Sequence, residues 1–189
     1  MIAVHARYRG REKARAQLVA RSARALATLP DVGEFDIVGV EDIRAHVDSP
    51  DGAVGVIMAL LSDRDWAIGL GIAVAGGASA ALAEATAAAG ARPGEVGVRV
   101  DGGGAEAADI AAVFALIAHV LEKRSFEGRE ATGLVRRGLS QNEAAAQLGI
   151  SKQAMSQRLK AAGWQAEQAG IRLALRLIGR AAGVEAGAG

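Results

Sequence analysis

The stretch Leu139–Gly163, LSQNEAAAQLGISKQAMSQRLKAAG, leaves the backbone few choices. Ser140 can cap a helix, and Glu143 three residues on can close a capping box. Ala144, Ala145 and Leu148 give that helix a narrow apolar face. Gly149 falls where it must stop, because the left-handed conformation costs glycine almost nothing. Ile150 turns inward, and Ser151 caps a second helix. In this helix Met155 and Leu159, four residues apart, share one face, while Lys152, Gln153, Ser156, Gln157 and Lys160 point elsewhere. The pattern predicts two short helices joined by a tight turn. An outer face of Lys, Gln and Ser suits phosphates and base edges.

These features (Ala145, Leu148, Gly149, Ile150, the Ser151 cap, Met155 and Leu159) resemble the helix-turn-helix of bacterial transcription regulators, including the LuxR-type and sigma-factor C-terminal versions. The resemblance covers about 25 residues. The competing reading is an ordinary helical hairpin within a larger bundle. On the DNA reading, Ser151 and the first amides of its helix meet a phosphate, helped by the helix dipole. Lys152, Gln153, Ser156 and Gln157 reach base edges, and Gln can pair bidentately with adenine. Arg158 and Lys160 touch the backbone, and Arg136 and Arg137 are further phosphate candidates.

Charge agrees with this division. Up to Glu122 there are 11 Lys/Arg against 16 Asp/Glu; from Lys123 onward there are 11 against 5. The basic C-terminal part fits a phosphate-facing module, and the acidic N-terminal part is a poor candidate for wrapping DNA. The chain has no cysteine, which excludes disulfides, thiolate zinc sites and a cysteine nucleophile. Much of its apolar half is alanine and few residues are aromatic, so cores of close-packed helices and thin sheets are expected. No stretch approaches the roughly 18 to 20 apolar residues that span a bilayer, and no signal peptide is evident. A cytoplasmic protein is expected.

Taken in order, Ile2–Tyr8 reads as a strand and Arg11–Leu29 as an amphipathic helix ended by Pro30, Asp31 and Gly33. Phe35–Val40 and Asp42–Val47 read as a hairpin around Glu41. Ala53–Leu61 reads as a buried helix, and Trp66–Val74, apolar on both faces, as a central strand. An alanine-rich helix follows Gly76-Gly77, then a strand at Val96–Val100, a turn at Asp101–Gly104 and a long helix, Ala105–Leu121. Lys123–Gly128 reads as a polar junction, Arg129–Arg137 as a helix, and Trp164–Ile178 as a last helix whose wide apolar face must be buried. The order predicts an α+β protein. Residues 1–122 form a ferredoxin-like or cyclase-like sandwich, with helices on one face of an antiparallel sheet. Residues 123–180 form an all-α helix-turn-helix domain, and residues 181–189 a disordered tail.

The hairpin and following helix (Phe35–Leu61), the strand Trp66–Val74 and the C-terminal motif ending in AAGW resemble the SatD-like family of bacterial proteins. That resemblance implies an N-terminal domain reminiscent of nucleotidyl cyclases followed by a helix-turn-helix. This chain departs from the pattern twice. Its first strand, VHARYRGR, carries no carboxylate, and Gly39-Val40-Glu41-Asp42 replaces Gly-Asp-Glu in the hairpin. Glu41 and Asp42 are adjacent, so on a strand they face opposite sides and cannot converge on paired metal ions. The domain is therefore expected to be a non-catalytic scaffold or sensor.

Other candidates are weaker. His5, His46 and His119 share no ligand spacing and read as structural or surface residues. Gly69-Leu70-Gly71 lies inside a strand, outside the strand-to-helix context of a dinucleotide loop. Gly102-Gly103-Gly104 precedes a helix and could hold an anion, but reads more simply as a turn. The expectation is thus a non-enzymatic transcriptional regulator without metal or cofactor, binding double-stranded DNA as a homodimer. The alternative is a nucleotide- or small-molecule-binding protein with a protein-interacting helix-turn-helix of the RNA polymerase-contacting type.

Overall fold

The computed structural model describes residues 1–184. Its elements are β1 (Ile2–Tyr8), α1 (Arg15–Leu26), β2 (Asp36–Val38), β3 (Asp42–Val47), α2 (Pro50–Asp63), β4 (Trp66–Ile72), α3 (Gly77–Ala88), β5 (Val96–Val100), α4 (Ala105–Glu122), α5 (Phe126–Arg136), α6 (Gln141–Gln147), α7 (Lys152–Ala161) and α8 (Trp164–Ala181). The chain is α+β, with two compact units. One comprises Met1–Ala115 together with the segment from Arg172; the other is Leu116–Ile171. Helices α4 and α8 each contribute residues to both. Of the expected tail, Ala181 is the last residue of α8, and residues 185–189 lie outside the described residues.

In the first unit the strand order is β2-β3-β1-β4-β5. Strand β1 pairs antiparallel with β3 (Val4 opposite Ala45) and with β4 (Val4 opposite Leu70). Strands β2 and β3 are antiparallel, whereas β4 and β5 run parallel, with Leu70 opposite Val98. The sheet is therefore mixed, not antiparallel throughout, because α3 carries the chain back to the same end between β4 and β5.

Alternation along the strands gives the sheet two unlike faces. Ile2, Val4, Ala6, Ile43, Ala45, Val47, Trp66, Ile68, Leu70 and Ile72 are all buried on one. Helix α2 lies on this face, supplying Ala53, Val54, Val56, Ile57, Leu60 and Leu61, and α1 adds Val19, Ala23 and Leu26. Helix α2 begins at Pro50, earlier than Ala53, because Ser49 accepts a hydrogen bond from the Gly52 amide and proline needs no donor in the first turn.

The opposite face is covered by α3, so helices occupy both faces and not one. Here the sheet contributes Gly69, Gly71 and Gly97. A Cβ on any of the three would fall within 2.0–2.2 Å of a carbonyl oxygen of Ala85, Ala81 or Ala88. Glycine is required because the helix backbone lies directly on the strands; alanine on the helix side completes the fit, with Ala81 and Ala85 fully buried.

At the margin of α3 sits a buried polar cluster. The His5 imidazole, 2% exposed, lies 3.0 Å from Asp42 Oδ2 through Nε2 and 3.1 Å from Thr86 Oγ1 through Nδ1. Arg7 Nε approaches the same Asp42 oxygen at 3.4 Å. Burial pushes the His5 pKa below 6.5, against the upward pull of the Asp42 hydrogen bond and charge. Glu41 pairs instead with Arg9 at 3.0 Å and with Arg15. The adjacent carboxylates of Glu41 and Asp42 are thus each taken by different basic side chains. Among the described residues no group of three acidic or histidine side chains could hold a metal ion. None of the helices among the described residues is long and apolar enough to cross a membrane.

Candidate nucleic-acid interface

The second unit is built on α5, α6 and α7 around a small core. Ala131 and Leu134 from α5, Ala144 and Ala145 from α6, and Met155 and Leu159 from α7 are buried together, with Leu139, Leu148, Ile150 and Trp164 packed at its edge. Helix α5 starts at Phe126, inside the expected junction Lys123–Gly128, because Ser125 accepts a hydrogen bond from the Gly128 amide.

The connection between α6 and α7 is fixed at every residue. Ser140 Oγ accepts from the Glu143 amide at 3.3 Å, and Glu143 Oε2 accepts from the Ser140 amide at 2.8 Å. The Ser140 hydroxyl, which also donates to Glu143 Oε2 at 2.7 Å, and the Ser140 amide hold the Glu143 carboxyl below its ordinary pKa. Helix α6 ends with Gly149 at φ +64. The Gly149 amide donates to Ala146 O at 3.2 Å and the Ile150 amide to Ala145 O at 3.0 Å, the paired bonds of a Schellman cap. Ser151 follows immediately and caps α7, its Oγ accepting from the Ala154 amide at 3.1 Å.

With Met155 and Leu159 turned inward, Ser151, Lys152, Gln153, Ser156, Gln157 and Lys160 are all exposed. No acidic residue interrupts this surface of α7. The amides of Lys152 and Gln153 open the helix beyond the serine cap, where the backbone has donors without intrahelical partners. The remaining expected residues are placed differently. Arg158 is half-buried, and its charge acts on Glu127 in the first turn of α5. The Glu127 carboxyl is lowered first by the hydrogen bond of its own amide, then by Ser125, with Arg158 and Arg129 adding to the effect. Arg137 is exposed at the end of α5 with no acidic partner among the described residues. Arg136 is engaged: its Nη2 donates to Glu167 Oε1 at 2.5 Å, and its guanidinium lies 5.9 Å from the centre of the Trp164 ring.

Sequence reasoning missed the group that holds this unit together. Glu167 of α8 is fully buried, and Arg124, between α4 and α5, has a side chain 2% exposed. Arg124 Nη2 donates to Glu167 Oε2 at 2.7 Å, Nη1 to Thr132 Oγ1 at 3.3 Å, and Nε to Ala162 O at 2.9 Å. Ala162 is the C-cap of α7. A single buried guanidinium therefore ties the end of α7 to α5 and α8, with its positive charge at the negative end of α7's dipole. The available signal was Glu167 itself, an acid seven residues before the buried Ala174 and so in line with it on α8.

The geometry presents an uncharged-to-basic strip with rigid ends and adjustable side chains, able to donate to anionic oxygens and to both donate and accept at planar hydrogen-bonding edges. Comparison of the chain with protein-family models, with curated proteins and with solved structures gives no match.

Proposed function

We propose that this chain is a cytoplasmic, DNA-binding transcriptional regulator that inserts the helix Ser151–Lys160 into the major groove of a promoter site. The observation carrying this reading is α7 itself. Its inner face is locked by Met155 and Leu159 and both its ends are capped, while its outer face exposes Lys, Gln and Ser without an acid. Lys152, Gln153, Ser156 and Gln157 read base edges; Ser151, Lys160 and Arg137 contact phosphates, with Arg158 at the margin. Arg136 joins them only through the side of its guanidinium not bound to Glu167. The protein acts as a homodimer, since two such helices on a symmetric site multiply affinity.

The first unit serves dimerisation or ligand sensing. Its connection β1-α1-β2-β3-α2-β4, with order β2-β3-β1-β4 and antiparallel neighbours, supports a ferredoxin-like core to which α3 and β5 are added. The SatD-like resemblance agrees with such a domain beside a helix-turn-helix. The pairing of Glu41 with Arg9 and Arg15, and of Asp42 with His5 and Arg7, supports a non-catalytic role.

Fluorescence titration of labelled duplexes from the protein's own promoter region tests the reading. Gln153→Ala should flatten preference at one base position by ~1–3 kcal/mol, and Lys160→Ala should weaken all sequences alike. Binding that is absent, or indifferent to salt, refutes it.

A further inference from the structure

The acidic balance of residues 1–122 conceals a strong segregation of charge. Between Arg7 and Arg24 there are seven basic residues and a single acid, Glu12; the rest of 1–122 holds four basic residues and fifteen acids. Three of the seven are neutralised within the fold: Arg7 by Asp42, and Arg9 and Arg15 together by Glu41. Because two arginines share one carboxylate, that group itself keeps a net positive charge. The other four, Arg11, Lys13, Arg21 and Arg24, are exposed and have no acidic partner among the described residues.

They lie on α1 and on the loop that leads into it. Arg11 and Lys13 lie on the loop entering α1. Arg21 and Arg24 follow on the outer side of that helix, in the row Gln17, Arg21, Arg24, Thr28, all exposed, while Val19, Ala23 and Leu26 face the core. Arg24 Nε is held by Ala20 O at 3.2 Å. We propose that this loop and the outer face of α1 form a second DNA-contact surface, which takes duplex phosphates through Arg11, Lys13, Arg21 and Arg24. It rests on the DNA-binding function proposed above, and departs from the expectation that the acidic N-terminal part is a poor candidate for wrapping DNA. A row of Arg, Gln and Thr suits phosphate oxygens, which a guanidinium can grip with two parallel bonds. The row lacks the large apolar side chains that a membrane-surface helix buries among lipids. Its residues read no sequence, so the surface adds affinity and salt dependence without specificity.

The test is the slope of log affinity against log salt for the full chain on a duplex, measured for three proteins. These are the wild type, the quadruple variant Arg11→Gln/Lys13→Gln/Arg21→Gln/Arg24→Gln, and the α7 variant Lys152→Gln/Lys160→Gln. Each phosphate contact contributes about 0.9 to the slope, so the quadruple variant should lose about 3 to 4. A fourfold rise in salt should then weaken the wild type about 100-fold more than the variant. Equal slopes overturn the second surface while leaving the α7 reading intact. An α7 variant that binds like the wild type, beside a quadruple variant that does not, removes α7 and keeps this surface. No salt-dependent binding by the wild type removes both. Should the quadruple variant melt early by circular dichroism, Arg21→Gln/Arg24→Gln alone should still lose about 2 from the slope.

Discussion

Replacing Glu167 by alanine should unfold much of the second unit, and the reason lies in what the carboxylate leaves behind. Glu167 is fully buried and accepts from two arginines whose side chains are 2% and 42% exposed. Without it, Arg136 turns to solvent, where an ion pair of this kind contributes only ~0–1 kcal/mol. Arg124 cannot follow. It keeps Ala162 O and Thr132 Oγ1 but loses its only counter-charge, and an uncompensated buried charge costs ~3–5 kcal/mol. At ~0.05–0.15 kcal/mol per residue, a unit spanning Leu116–Ile171 has only about 3–8 kcal/mol to lose. Amide hydrogen exchange resolved to α5, α6 and α7 should therefore show protection falling by most of its native value. The double substitution Arg124→Met/Glu167→Met, which removes both charges and keeps apolar volume, should restore much of it, giving a coupling of ~1–3 kcal/mol in a double-mutant cycle. A loss below ~1 kcal/mol in Glu167→Ala, or a coupling near zero, would refute the reasoning.

Two further outcomes follow from the first unit. Gly71→Ala should destabilise it by at least ~1–3 kcal/mol in chemical denaturation, since its Cβ would sit 2.2 Å from Ala81 O; unchanged stability would mean that α3 does not rest on the strands. Because burial lowers the His5 pKa, its contribution to stability is complete above pH 6.5 and fades as pH falls below that value, at up to ~1.4 kcal/mol per pH unit, and His5→Gln should flatten the dependence.

Much of the α6–α7 connection is legible because its residues act on their own backbone. Ser140 with Glu143, Gly149 and Ser151 each satisfy a neighbouring amide or a φ that other residues avoid, and the caps form where the spacing predicts. The bounds of β1, Ile2–Tyr8, also fall where the sequence reads a short strand. The parallel placement of β5 and the second helical layer are not legible in this way. Their contact joins Gly69, Gly71 and Gly97 to an alanine helix, and residues with almost no side chain leave no hydrophobic period to read. Helices α2 and α5 start at Pro50 and Phe126, earlier than the expected Ala53 and Arg129, because Ser49 and Ser125 serve as caps. At the candidate interface the exposed face of α7 was readable from Met155 and Leu159. The capture of Arg136 by Glu167 was not, because it depends on two helices far apart in sequence.

The nesting of Leu116–Ile171 within a unit that needs both Met1–Ala115 and the segment from Arg172 has a consequence for synthesis. Domains commonly fold in the order in which they leave the ribosome. Here the inner unit is contiguous and can fold while its host still waits for the second half of α8, where Ala174, Ile178 and Ala181 are buried and Gly179 lies beside Pro50. The first unit, although most of it emerges first, is completed last. The late-made segment from Arg172 thus completes a unit whose other part, Met1–Ala115, is made first.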